Sequence, residues 1–165
     1  MVSNKRPIVV YIEQARIPNE TTSITRSEVP ITGDIVVHHH IQSGANNKAL
    51  GEGFLKELYD ILDGNVSERL KFPDGASFFV YTSCERSVEN YKSFENNMRY
   101  GADLPVHDFR ACKKIFNLCK THHYDLNISS GSLLADTIKS DAKAELLNIL
   151  REAGERGIMN DGAGK

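Results

Sequence analysis

The chain writes three strand-like runs before its first helical period, and that order limits what it can fold into more than any other feature. Pro7-Ile8-Val9-Val10-Tyr11-Ile12-Glu13 is continuously apolar up to its last residue. Such a run suits a central strand covered on both faces, here ending in a carboxylate at the sheet rim. Asn19-Glu20-Thr21-Thr22-Ser23-Ile24-Thr25-Arg26 is rich in threonine and suits a hairpin partner. Pro30-Ile31-Thr32-Gly33-Asp34 reads as a turn, and Ile35-Val36-Val37-His38-His39-His40-Ile41 as a β-branched strand. Three strands on short connections form an antiparallel meander.

Helical periods then take over. Ser43-Gly44-Ala45-Asn46-Asn47 closes the meander and caps a helix over about Lys48 to Leu62, with Phe54, Leu55, Leu58, Ile61 and Leu62 as its buried stripe. Pro73-Asp74-Gly75 is a turn, and Ser77-Phe78-Phe79-Val80-Tyr81-Thr82 is a buried strand. A helix follows through Tyr91, Phe94 and Met98, capped by Ser83 or Ser87. The next helix, Val106 to Lys120, turns Phe109, Cys112, Ile115, Phe116 and Cys119 inward. Tyr124 to Ile128 alternates like a half-buried strand. Ser132 caps a last helix from Leu133 to about Ala153, with Ile138, Ala142, Leu146, Ile149 and Leu150 facing in. The order β-β-β-α-β-α-α-β-α predicts an α/β fold with a mixed five-stranded sheet, three strands antiparallel and two parallel, and helices on its faces. Residues 1–153 form one domain on this reading, and the glycine-rich residues 154–165 a flexible tail.

At 165 residues the chain is long enough to bury one sizeable core. With 40% hydrophobic and 25% charged residues it has an ordinary globular composition. A net charge of −2 gives no global attraction to polyanions, so nucleic-acid binding has to rest on a local basic patch. No apolar run reaches bilayer length and no secretory apolar stretch follows Met1 to Arg6, so no membrane partner is expected. Cys84, Cys112 and Cys119 are odd in number and lack zinc spacing, which points to reduced thiols and a cytoplasmic location. Cys112 and Cys119 share a helical face and read as core. Cys84 lies between a strand and a helix, a geometry that activates thiols, but no histidine lies near it in sequence. His38 and His40 share one face of their strand and His39 takes the other. Two such histidines can hold a metal, though exposed sheet-face histidines are the plainer reading.

The acids offer a more specific pattern. A two-metal nuclease centre needs several carboxylates at a sheet rim, around two Mg²⁺ ions about 3.5–4 Å apart. Glu13 ends a strand, Glu52 and Asp136 lie in first helical turns, and Glu85 follows a strand. Near a helix N-terminus an acid gains about 0.3–1 kcal/mol from the helix dipole with no function at all. Glu13 has no such excuse.

Across about residues 7–150 the chain resembles the ribonuclease H family. Val10-Tyr11-Ile12-Glu13 is similar to the family's first strand, which ends in Asp, and Asn46-Asn47-Lys48-Ala49-Leu50 to the Asn-Asn-Arg-x-Glu start of its first helix. Val80-Tyr81-Thr82-Ser83-Cys84 is similar to its Tyr-Thr-Asp-Ser strand, and Leu133-Leu134-Ala135-Asp136 stands where its last helix carries a final Asp. The resemblance implies Mg²⁺-dependent (or Mn²⁺-dependent) cleavage of RNA in an RNA–DNA hybrid, with Glu13 and Asp136 as metal ligands. It also implies a substrate-facing role for Asn46, Asn47 and Lys48, to which Arg110, Lys113, Lys114 and Lys120 add a candidate phosphate-contacting stripe.

The departures matter more. Leu50 and Ser83 stand where the family has acids, the glycine-rich segment after the first strand is absent, and Ser129-Ser130-Gly131-Ser132 carries no histidine. Glu52 and Glu85 lie two residues beyond the lost positions, and two residues turn a helix by about 200°. The expectation is a divergent ribonuclease H-like domain that binds a hybrid or duplex with weak or lost endonuclease activity. The alternatives are an active enzyme rebuilt on Glu13, Glu85, Asp136 and Glu52, and a protein-interaction module. Any other sheet order would mark an unrelated α/β domain.

Overall fold

The computed structural model describes residues 6–16, 21–131 and 133–155. Its elements run β1 (Ile8–Arg16), β2 (Thr22–Ile31), β3 (Asp34–Ser43), α1 (Asn47–Leu62), β4 (Ser77–Tyr81), α2 (Glu85–Tyr100), α3 (Phe109–His122), β5 (Asp125–Ser129) and α4 (Leu133–Glu155). They form one five-stranded sheet ordered β3-β2-β1-β4-β5. β1, β2 and β3 pair antiparallel, while β4 lies parallel to both β1 and β5. This is the expected mixed sheet.

Alternation along the strands divides two cores. Val10, Ile12, Phe78, Val80 and Ile128 face a main core filled from α1, α2 and α3 by Phe54, Leu58, Ile61, Tyr91, Phe94, Cys112 and Ile115. Ala15 and Ile24 face the other way, onto Ala142 and Leu146 of α4. Among the described residues helices therefore cover both sides of the sheet, three on one and one on the other. Cys112 and Cys119 lie in the main core, where burial pushes both thiols up to about 12.

Several expectations need correction. β1 does not end at Glu13 but continues through Gln14, Ala15 and Arg16. Gln14 remains in the strand because its amide donates to Thr25 Oγ1 at 2.8 Å and to the Leu50 carbonyl at 2.6 Å. Pro30 and Ile31 belong to β2, leaving Thr32 and Gly33 as the turn. Proline is tolerated there because the β1 ladder reaches only Glu28 of β2, so Pro30 has a strand on one side alone. Gly33 takes the positive φ the turn requires, 77°. α3 starts at Phe109 rather than Val106, since the Asp108 side chain caps it by accepting from the Ala111 amide at 3.3 Å. Phe109 is half exposed, meeting Phe94 edge-on at 5.3 Å. The expected boundary after residue 153 falls inside the last turn of α4, and the rest of the expected tail lies outside the described residues, as does the Ser132 cap.

The histidines of β3 are not simply exposed. Glu57 of α1 is fully buried, and it accepts hydrogen bonds from Ser27 Oγ at 2.6 Å, His38 Nδ1 at 2.7 Å and His40 Nδ1 at 2.8 Å. Burial works to raise this carboxyl, but the bonds from His40, Ser27 and His38 outweigh it and hold Glu57 below the ordinary range. His39, on the opposite face, pairs with Glu145 of α4 at 2.6 Å.

Candidate functional site

The parallel ladder between β1 and β4 stops at Tyr11 and Tyr81. Beyond it β4 gives way to Thr82 and Ser83 while β1 runs on to Arg16, so the two strands part company in the sheet at the C-terminal end of β4. In sheets with helices on both faces such a divergence is where ligands bind. Glu13 stands there, 1% exposed.

Both its oxygens are occupied. The Ser83 backbone N–H donates to Oε2 at 2.6 Å and the Ser83 hydroxyl donates to Oε1 at 2.7 Å. Burial pushes the Glu13 carboxyl above its ordinary range; the two Ser83 bonds and the Lys139 ammonium oppose the rise, and Asp136 adds to it. Asp136 and Lys139, both exposed on α4, thus act on Glu13 only through their charges, in opposite directions. Arg26, opposite Glu13 in the ladder, is engaged by Glu28 at 2.5 Å and Glu145 at 2.9 Å.

This donor set does not fit a two-metal centre. Leu50 carries no ligand atom, and the Ser83 hydroxyl is spent on Glu13 rather than opposing it as a second carboxylate. Among the described residues, no group of three or more His, Cys, Asp or Glu side chains could hold a metal ion. Asp136 is exposed in the first turn of α4, and Glu85 is exposed at the start of α2. Glu52 lines a different feature.

That feature is a groove of about 380 Å³ between the first turns of α1 and α2 and the loop before α3. Asn47, Lys48 and Glu52 line it from α1, Arg86 and Asn90 from α2, and His107 from the loop. Its walls are fixed by side-chain to backbone bonds. Asn46 caps α1, its side-chain oxygen accepting from the Ala49 amide at 2.8 Å. Asn90 holds His107 at both ends, accepting from its N–H at 2.7 Å and donating to its carbonyl at 2.9 Å. Cys84 also lines the groove, and the Ser87 hydroxyl lies 3.4 Å from its sulfur.

Of the expected nucleic-acid contacts, Asn47 and Lys48 face the groove, whereas the Asn46 oxygen is used as a cap. Arg110 is exposed in the first turn of α3, two residues past the groove-lining Asp108. Lys113 and Lys114 are exposed further along α3, Lys113 over the Phe109 ring at 6.0 Å and Lys114 over the Tyr59 ring at 4.4 Å. Sequence reasoning missed Arg86, Lys139 and the bonding role of Ser83. It also missed Glu57, although a charge on the Phe54–Leu58–Ile61 stripe is a readable sign of a buried carboxylate.

No protein-family profile matches the sequence, and no curated protein does. Solved structures do match in fold. An RNase H1 from the archaeon Halobacterium salinarum NRC-1 superposes with a TM-score of 0.54 at 15% identity, over 87% of this chain and 98% of that one. The N-terminal RNase H domain of a Mycobacterium tuberculosis protein gives 0.58 at 11% identity, over 90% and 98%. LC11-RNase H1, solved in complex with an RNA/DNA hybrid, gives 0.55 at 15% identity, over 84% and 94%. Identity at this level speaks of the fold alone: the chain has a ribonuclease H-like fold.

Proposed function

On this ribonuclease H-like fold, we propose that the chain is a nucleic-acid-binding domain for an RNA–DNA hybrid or a duplex, with metal-dependent cleavage weak or lost. The observation that carries the reading is the state of Glu13. Both its oxygens are held by Ser83, at the position where the family resemblance implies a second acid. A neutral hydroxyl there keeps a lone buried carboxylate in place but does not make a pocket for a divalent cation.

Binding is supported by different residues. Lys48 and Arg86 both line the groove together with the Asn47 amide, while the Asn90 amide holds the groove wall through His107. Cations contact phosphate oxygens and amides contact sugars and base edges. Arg110, Lys113 and Lys114 stand exposed along α3 and add cations beside the groove, whose lining also holds the carboxylates of Glu52 and Asp108. One of the matched structures holds an RNA/DNA hybrid, which makes a hybrid the first ligand to try.

A second reading has one observation in its favour. Glu85 is exposed two residues after Ser83, at a helix start where a small rearrangement could bring it to Glu13 and Asp136. The domain would then be an active endonuclease with Mg²⁺ or Mn²⁺ as its cofactor.

Incubation of an end-labelled hybrid with excess protein, in Mg²⁺ and separately in Mn²⁺, separates the two. The proposal predicts an intact hybrid that migrates as a complex on native gels. Cleavage that Glu13→Gln and Asp136→Asn both abolish would establish the second reading instead.

A further inference from the structure

Among the described residues β3 forms one edge of the sheet, with no strand on its outer side. Its pairing with β2 runs unbroken through all ten residues from Asp34 to Ser43, with no bulge. Among the described residues the other side of the strand therefore offers a row of backbone N–H and C=O groups with no ladder partner; at its first end the Ile35 N–H donates to Asp34 Oδ1 at 2.7 Å, and Arg69 pairs with the same carboxylate at 2.8 Å. Proteins usually blunt such an edge with lysine, proline, a bulge or a covering element, yet β3 contains neither lysine nor proline. On the face away from α1, Ile35, Val37 and Ile41 are 51%, 45% and 43% exposed. α4 reaches this row at His39, through Glu145.

We propose that β3 is a dimerisation strand, and that its partner is the β3 of a second copy of this chain, paired antiparallel about a two-fold axis at His38. The hydrogen-bonding edge calls for a strand, and the side-chain pattern selects this one. Directly opposed residues in an antiparallel pair share a face. With His38 opposite its own copy, Ile35 faces the partner's Ile41, Ile41 faces the partner's Ile35, and Val37 faces the partner's His39. On the inner face Val36 meets the partner's His40, and Asp34, the strand's one carboxylate, meets the partner's Gln42.

Neighbouring registers do worse. An axis at His39 keeps two apolar pairs, Val37 against the partner's Ile41 and Ile41 against the partner's Val37, but sets Ile35 against the partner's Ser43; an axis at Val37 pushes Ile41 beyond the strand onto the Gly33 turn. The His38 register alone matches isoleucine with isoleucine at both ends while opposing no like charges. Such an interface is isologous and closes at two copies, so it caps the edge instead of propagating a fibre. Glu13 lies two strands away, and the groove lies beyond it on the α1–α2 side, so both stay open in the dimer.

Sedimentation equilibrium of the full chain, from micromolar to sub-millimolar concentration, tests this. A mass of twice 18.4 kDa is expected at the upper end. Ile35→Lys alone and Ile41→Glu alone should each return the mass to 18.4 kDa, with the circular dichroism spectrum unchanged because both positions are exposed. The double variant carries both changes, which places the new ammonium opposite the partner's new carboxylate, and it should dimerise again. A wild-type chain that stays at 18.4 kDa throughout overturns the proposal, and so does a dimer that neither single change dissociates. Failure of the double variant to recover, after both single variants dissociate, overturns the His38 register. None of these outcomes depends on nucleic-acid binding.

Discussion

Glu13 and Ser83 set the character of the site at the residue scale. A carboxyl whose pKa rises on folding binds its proton more tightly in the folded chain, so its ionisation opposes folding. That cost is absent below the ordinary pKa of about 4.3 and grows as pH rises through the folded value. Glu13→Gln keeps an acceptor for the Ser83 amide and removes the charge. We expect it to be more stable than wild type at pH 8 and no more stable at pH 4, in urea melts. Loss of stability at pH 8 would show the carboxylate to be structural. Ser83→Asp makes the complementary change, setting a half-buried carboxylate against the buried Glu13. It should cost about 1–3 kcal/mol in EDTA, and Mg²⁺ should raise its melting temperature while leaving that of wild type unmoved. The distinction was only partly legible in the sequence. The absence of an acid at Ser83 is visible in one letter. That its amide and hydroxyl both turn onto Glu13 depends on where β4 leaves the β1 ladder, and no local pattern encodes that.

Two devices at the element scale attach helices to the sheet. The first fastens α1 beneath β2 and β3 through Glu57. Its depressed pKa means that the ionised form stabilises the fold: the contribution is present above about pH 4.3 and is lost as pH falls through the lower folded value. Glu57→Leu strands three donors and should cost about 3 kcal/mol at pH 7, with the difference from wild type narrowing below pH 4 in denaturant melts. An undiminished difference at low pH would point to packing rather than charge. The second device is the small core under α4. Leu146→Ala removes a fully buried side chain and should cost about 2–4 kcal/mol. In hydrogen exchange α4 amides should lose protection before those of α1, because the two helices pack in separate cores. Helix stripes made these elements readable in advance, since Leu58, Ile61, Ala142 and Leu146 all repeat at helical spacing. Element ends were less readable. Gln14 and Pro30 read as the close of a strand or the opening of a turn. Both are kept in strands by particular neighbours, Gln14 by Thr25 and Leu50, and Pro30 by an open side.

For the whole molecule, the strand order and the pairing directions are those expected from three strands preceding any helix, because crossover rules leave few ways to continue such a meander. The fold survives with little sequence in common with the structures it matches, since what it requires is a pattern of apolar faces. A catalytic site requires particular atoms, and on the proposed reading Leu50 and Ser83 stand where two of them would be. On that same reading the groove offers Asn47, Lys48 and Arg86 for binding, so binding and catalysis can part company on one scaffold. The net charge of −2 concentrates any polyanion affinity in that local patch. The measurement that bears most directly on this account is the fluorescence anisotropy of a labelled RNA–DNA hybrid, titrated with the chain over a series of salt concentrations. Three cations, Lys48, Arg86 and Arg110, predict saturable binding whose log affinity falls with log salt at a slope of about −3. No binding at low salt, or binding indifferent to salt, would contradict it.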